Sequence, residues 1–177
     1  MLQSDQNILL WIQEYWRNDC LSPAVIFITK LGTGAAVWIV ISVILLIPRK
    51  TRKVALLALA ALLAAYVIDN LILKNLVARP RPYDVIPGLH SLIGAQNDYS
   101  FPSGHAGSSF AAAVVLFNGL SQKYSWVFLV LAALISLSRL YVGVHYPTDV
   151  LCGALIGINI GLFIYSMGMN ISKRTNN

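Results

Sequence analysis

Val54-Ala-Leu-Leu-Ala-Leu-Ala-Ala-Leu-Leu-Ala-Ala-Tyr-Val-Ile-Asp69-Asn-Leu-Ile-Leu-Lys74 carries a single acid within a long apolar run and ends on a lysine. Crossing the hydrocarbon core takes ~20 mostly apolar residues in an α-helix, so this stretch reads as a membrane span. Outward from it, further apolar runs cover residues 22–47, 104–120, 126–141 and 148–168. Of the 177 residues, 57% are hydrophobic and only 11% charged, whereas soluble domains carry about a quarter charged residues. The composition excludes an ordinary soluble protein. It predicts an all-α integral membrane helical bundle forming a single domain over 1–177, with about five transmembrane helices.

Residues 5–19 are too short and too polar to span. Ile8, Leu9, Trp11, Ile12, Tyr15 and Trp16 share a broad face, and Gln6, Gln13, Glu14 and Arg17 are expected in water. Tryptophan and tyrosine favour the membrane–water interface, so this segment is expected to lie on the membrane as an interfacial amphipathic helix. The opening Met-Leu-Gln-Ser-Asp lacks the basic-then-apolar order of a cleavable signal peptide. Cys20 and Cys152 are too few to frame a fold.

Charge sets the expected orientation. Arg49, Lys50, Arg52, Lys53, Lys123, Lys173 and Arg174 fall in two turns and the C-terminal segment, with no acid among them. The positive-inside rule assigns that side to the cytoplasm. The opposite ends of the spans then face the extracytoplasmic side.

Those opposite ends hold three polar clusters: Lys74-Asn-Leu-Val-Ala-Arg79-Pro-Arg81-Pro82, Phe101-Pro102-Ser103-Gly104-His105, and Ser138-Arg139 followed by His145-Tyr-Pro-Thr-Asp149. Charge at a span end is costly and marks function. Lys74, Arg81 and Arg139 supply three cations, and arginine's planar fork suits phosphate oxygens. Ser103 and Gly104 open a helix, whose N-terminus favours anions. His145 and Asp149 stand four apart, and a helical turn starting at Pro147 brings the carboxylate back toward the ring. A carboxylate on one ring nitrogen frees the other to attack. His105 is left as the general acid. Together these residues predict phosphoryl chemistry at a membrane surface.

Lys74 with six residues before Arg81-Pro82, then Pro102-Ser103-Gly104-His105, then Ser138-Arg139 with five residues before His145 and three more before Asp149, resembles the three-part signature of the type 2 phosphatidic acid phosphatase family. The resemblance implies hydrolysis of a lipid phosphate or diphosphate without metal or other cofactor. By it, His145 is the nucleophile that forms a phosphohistidine, Asp149 orients it, and His105 protonates the leaving group and then activates water. Lys74, Arg81, Ser103, Gly104 and Arg139 hold the phosphate. Arg79 lies outside the signature as an accessory residue.

No paired carboxylates and no Cys/His cluster offer a metal site. Asp84, His90 and Asp98 fall in the 75–102 connection and read as solvated loop residues. The expected partners are the lipid substrate and the bilayer, with no nucleic acid. The resemblance, together with an outward-facing site, implies undecaprenyl diphosphate as the substrate, with phosphatidic acid and phosphatidylglycerophosphate as rivals. A non-enzymatic lipid-binding or transport protein could use the same cations but has no need of both histidines and Asp149. Lys30 and Asp69 lie at similar depth and either pair or leave Lys30 snorkelling alone. Gly153, Gly157 and Gly161 mark a closely packed helix face, within the bundle rather than between subunits.

Overall fold

The computed structural model describes residues 3–175; side chains from residue 171 onward, including Lys173 and Arg174, lie outside the described part. The described residues are helical without strands. Helix α1 covers Gln3–Tyr15, α2 Leu21–Leu31, α3 Ala36–Leu46 and α4 Arg52–Ala65; α4 continues through a π-helical segment, Tyr66–Leu73, into α5, Lys74–Val77. A short α6, Pro82–Val85, sits in the long connection. Helices α7 (Gly104–Gly119), α8 (Gln122–Tyr141) and α9 (Pro147–Thr175) complete the chain.

Helix α7 is the axis of the bundle. It packs most extensively on α9, then on α8 and α4. Ala106, Ala111, Ala112, Ala113, Val115 and Leu116 are all fully buried, and their small size lets three neighbours close in at once. The glycine stripe of α9 serves this packing. A Cβ on Gly157 would lie 2.2 Å from the Gly107 carbonyl oxygen, and one on Gly153 2.6 Å from that of Ser103. Trp38 of α3 is buried and donates to Ser109 of α7 at 2.9 Å.

Three helical stretches are long and apolar enough to cross a membrane, Arg52–Val85, Lys123–Tyr141 and Pro147–Asn170; a fourth arises if α2 and α3 count as one broken span. The remaining expected span is α7. Its 16 residues rise only ~24 Å, less than the ~30 Å hydrocarbon thickness, and other helices surround it. The expected single span at 22–47 is bent by 56° between α2 and α3. Gly34 (φ 58°) and Ala35 (φ 56°) hold left-handed conformations there, which no continuous helix accommodates.

Helix α1 departs from the surface-bound reading. Trp11, Tyr15 and Trp16 are exposed as expected, but Leu9 is buried against Ile86, Leu89 and Tyr146. Gln13 and Arg17 are not simply wet. Gln13 donates to the Gly88 carbonyl at 2.7 Å, and Arg17 donates to the carbonyls of His90 (2.7 Å) and Tyr141 (2.8 Å). The polar face of α1 thus clasps the long connection and the end of α8.

Lys30 and Asp69 do not pair. Thr29, not Lys30, faces the bundle, and Lys30 is exposed. Asp69 is fully buried beside Gly107, where a Cβ would lie 1.8 Å from its Oδ2, and neither carboxyl oxygen has a partner.

The α7–α9 approach predicts that Gly157→Ala costs about 1–3 kcal/mol. Thermal unfolding in detergent should show a lowered Tm; an unchanged Tm would mean the two backbones do not need this contact.

Candidate active site

A cavity of about 550 Å³ opens where the polar helix ends meet. Lys74, Arg81, Gly104, His105, Arg139 and His145 all line it, so five different segments deliver the residues singled out above to one place. Ser103 and Asp149 stand behind its wall, both fully buried. The far end of the cavity is apolar, with Ile39, Leu59, Leu62 and Leu63.

Local structure explains each placement. The π-helical segment ahead of α5 inserts a wider turn that precedes Lys74. Pro82 at the first position of α6 follows an extended Arg81, a preferred start for a helix. Ser103 caps α7 by accepting from the Ala106 amide at 3.4 Å. A Cβ on Gly104 would lie 2.8 Å from Asn70 Oδ1 and force that side chain to shift, and one on Gly32 would lie 2.6 Å from both the His105 ring and Ile135. The break between α2 and α3 therefore makes room for an imidazole. Gly143 (φ 79°) turns the chain after α8, and Arg17 caps the Tyr141 carbonyl there, ahead of the inward-facing His145.

The cations are buried and anchored. Arg139 is 2% exposed and donates to Thr29 at 2.7 Å. Arg81 is 4% exposed and donates through Nη1 to the Val144 carbonyl at 2.7 Å. Lys74 and Arg81 both ion-pair with the Asp98 carboxylate, and Arg81 Nε also donates to the Asp98 carbonyl at 3.0 Å. Asp98 is therefore no free loop residue: it sits on two of the three cations. Burial pushes its carboxyl up, but Lys74 and Arg81 outweigh that and bring it down to about 2.

The two rings of the site carry open nitrogens. His105 Nε2 has no partner. His145 Nε2 lies 3.0 Å from Arg81 Nη1. Arginine only donates, so Nε2 accepts, and the ring proton belongs on Nδ1. Nδ1 faces Asp149 Oδ2 at 3.5 Å, a contact that has not closed to a hydrogen bond. Burial, then Arg81, Arg139 and Lys74, push the His145 imidazole well below its ordinary value. It is neutral at working pH and keeps its lone pair.

Comparison with known proteins places this geometry. The PAP2 superfamily model matches residues 53–173. The chain belongs to the PAP2 superfamily. It is 34% identical over 163 residues to an undecaprenyl-diphosphatase of Sulfolobus acidocaldarius, covering 89% of this chain and 78% of that protein. It is 33% identical over 149 residues to the undecaprenyl-diphosphatase BcrC of Bacillus subtilis, covering 84% and 75%. The crystal structure of a transmembrane PAP2-type phosphatidylglycerolphosphate phosphatase from Bacillus subtilis superposes with a TM-score of 0.78 at 26% identity, over 95% of this chain and 86% of that one. This PAP2 protein is a multi-pass membrane lipid phosphatase, a hydrolase acting on phosphate esters.

Nothing in the sequence marks Thr29, Asn70 or Gln96 as lying in or beside the cavity, and Asp98, expected as a solvated loop residue, lines it instead. None belongs to a motif. The proximity of Asp98 to Lys74 and Arg81 arises only from how the long connection folds back. Among the described residues, no group of three or more His, Cys, Asp or Glu is arranged to hold a metal ion.

The depressed His145 titration has a stability consequence. Unfolded histidine titrates near 6.5, so below that pH the unfolded state binds more protons and stability falls with falling pH. Stability is intact above about 6.5 and erodes from there toward the depressed folded value. Melting curves between pH 7.5 and 5 should show this slope, and His145→Gln should make it shallower. An equal slope in both proteins would contradict the neutral buried imidazole.

Proposed function

We propose that this PAP2 phosphatase hydrolyses an isoprenoid lipid diphosphate, undecaprenyl diphosphate or a close analogue, on the extracytoplasmic face through a phosphohistidine. The observation that carries the reading is the single cavity shared by both imidazoles, three cations and an apolar end.

Phosphate enters against Lys74, Arg81 and Arg139, displacing the Asp98 carboxylate. The Gly104 amide and Ser103, at the N-terminus of α7, add positive potential. His145 Nε2 attacks the terminal phosphorus in line with the bridging oxygen, and the N–P bond forms as the bond from that phosphorus to the bridging oxygen breaks and the lipid monophosphate leaves. Asp149 holds the Nδ1 proton and stabilises the charge that develops on the ring. His105, protonated as the anionic phosphate group enters beside it, gives its proton to the leaving oxygen. His105, now neutral, takes a proton from water, whose oxygen attacks the phosphohistidine. The N–P bond breaks, phosphate leaves, and both histidines return to their starting states. Catalysis is electrostatic and positional, and no step draws on a metal.

Two observations favour a lipid with a slender tail. Leu59 and Leu62 continue the cavity from the cations, and Ile39, Leu63 and Tyr66 at its margin are 42%, 65% and 54% exposed. The cavity thus opens sideways between α3 and α4, where a tail passes into the bilayer. The undecaprenyl-diphosphatase relatives support the same substrate. Phosphatidylglycerophosphate is the second reading, favoured by the structural neighbour. The extracytoplasmic assignment rests on the charge asymmetry of the turns.

Phosphate release from undecaprenyl diphosphate, phosphatidic acid, phosphatidylglycerophosphate and a soluble phosphomonoester tests the reading, with protein in detergent and a chelator present. The diphosphate should turn over fastest, and His145→Ala should abolish all release. Retained turnover in His145→Ala, or activity lost to chelator and restored by magnesium, would overturn the mechanism. Asp98→Asn should lower KM several-fold by removing the competing carboxylate; a raised KM would show that Asp98 helps hold substrate instead.

A further inference from the structure

Asp149 poses a physical problem that the signature residues do not solve. Its side chain is completely buried, and a buried carboxylate stays charged only with partners. His145 Nδ1, at 3.5 Å, is not a sufficient one. The partners come from elsewhere. Arg79 Nη1 donates to Asp149 Oδ1 at 2.5 Å. Ser100 Oγ donates to Oδ2, and so does the Tyr146 amide at 3.0 Å. One oxygen is thus tied by an arginine, and the other is turned toward the imidazole.

Arg79 is itself fixed on every side. Nη1 also donates to Thr148 Oγ1 at 2.8 Å, and Nη2 to Asp5 Oδ2 at 3.0 Å. The guanidinium lies 3.7 Å over the centre of the Tyr146 ring. Its backbone carbonyl accepts from the Ser100 amide at 2.8 Å. Ala78 just before it adopts φ 48°, a left-handed turn that is costly for a residue with a Cβ. The chain accepts that cost at the bend that delivers Arg79.

The remote end of the network is Asp5 of α1, only 3% exposed although it stands near the chain's start. It takes the Thr148 hydroxyl at 2.6 Å and the Thr148 amide at 3.3 Å as well as Arg79. An acid on α1 therefore holds both the first turn of α9 and the arginine that grips Asp149.

We propose that Arg79, anchored by Asp5, is a positioning residue that fixes the Asp149 carboxylate behind His145, making α1 part of the active site. The proposal rests on the reading of His145 and Asp149 above. A planar guanidinium fork locks the plane of the groups it joins. Lysine keeps the charge without the fork, and alanine removes both. Asp149 freed from Oδ1 can rotate away from Nδ1, and a misplacement of ~1 Å at a reacting group costs as much as ~100-fold in rate.

The test uses the full chain in detergent with undecaprenyl diphosphate, measuring kcat, KM and Tm. Arg79→Ala should lower kcat about 10- to 100-fold with KM within a few-fold of wild type. Arg79→Lys should recover part of that loss. Asp5→Ala should lower kcat by a smaller factor, and adding it to Arg79→Ala should cost little more, because both act through one linkage. If Arg79→Ala does not fold, Arg79→Lys and the isosteric Asp5→Asn carry the same kcat-against-KM comparison. Wild-type kcat in the Arg79 and Asp5 variants, a loss wholly in KM, or a loss explained by Tm alone would overturn the proposal. His145→Ala in the same assay separates the two levels. If it is inactive while Arg79→Ala is fully active, only the positioning role fails; if it is active, the underlying reading fails.

Discussion

Three buried cations share one cavity: Lys74, Arg81 and Arg139 are 5%, 4% and 2% exposed. Like charges held this close repel strongly where the local dielectric is low, so the site survives only if each is tied to something. Arg139 is held by a neutral hydroxyl, Arg81 by a backbone carbonyl and Asp98, and Lys74 by Asp98. Among the described residues, Asp98 is the only carboxylate lining the cavity. It offsets one charge and leaves two uncompensated. A phosphate group, with two or more negative charges and oxygens at the right spacing for planar forks, completes the balance better than a carboxylate. The preference for phosphate is thus built into the charge count before any chemistry occurs.

The rest of the bundle keeps this charged end rigid. Helix α7 carries small side chains so that α9, α8 and α4 approach it closely, and its N-terminus then points at the cations. The opposite ends close in the same way: Cβ atoms on Gly119 and Gly168 would lie 2.5 Å and 2.4 Å from Val54 and Leu57. Close packing of small residues is the main source of helix association where lipid removes the hydrophobic drive between spans. A loosely packed bundle would let the cations drift apart, since nothing but the anion rewards their convergence.

The helices and the site residues were legible because both signals are local. Apolar runs near 54–74 and 126–141 follow from hydropathy, and Lys74, Arg81, His105, Arg139, His145 and Asp149 stand at fixed short spacings. What was not legible lies in contacts across the chain. Arg79 and Asp5 are 74 positions apart, and Arg139 and Thr29 are 110; no spacing rule reaches that far in one sequence. The break between α2 and α3 was half visible, as two glycines, but glycines alone do not fix a bend. Helix α1 shows a different failure. Its amphipathic pattern is present and Glu14 stays exposed, yet Gln13 and, just past the helix end, Arg17 turn onto protein, because they meet carbonyls of a connection that hydropathy cannot place.

Seen from His145, the charges are sorted by side. In front stand Lys74, Arg81 and Arg139; behind stand Asp149 and Asp5 with Arg79 between them. The ring lies in the field between a positive cavity and a negative backing. Such a field holds the ring proton on Nδ1, toward the acids, and exposes the Nε2 lone pair to the cavity, where the Arg81 donor marks its direction. In the proposed mechanism, phosphorus replaces that donor and the ring gains positive charge on the face that the acids support. Burial alone would make an imidazolium costly; the acids behind it reduce that cost only as the new bond forms. The sorting of charge around one ring, more than any single residue, is what turns an anion site into a phosphatase.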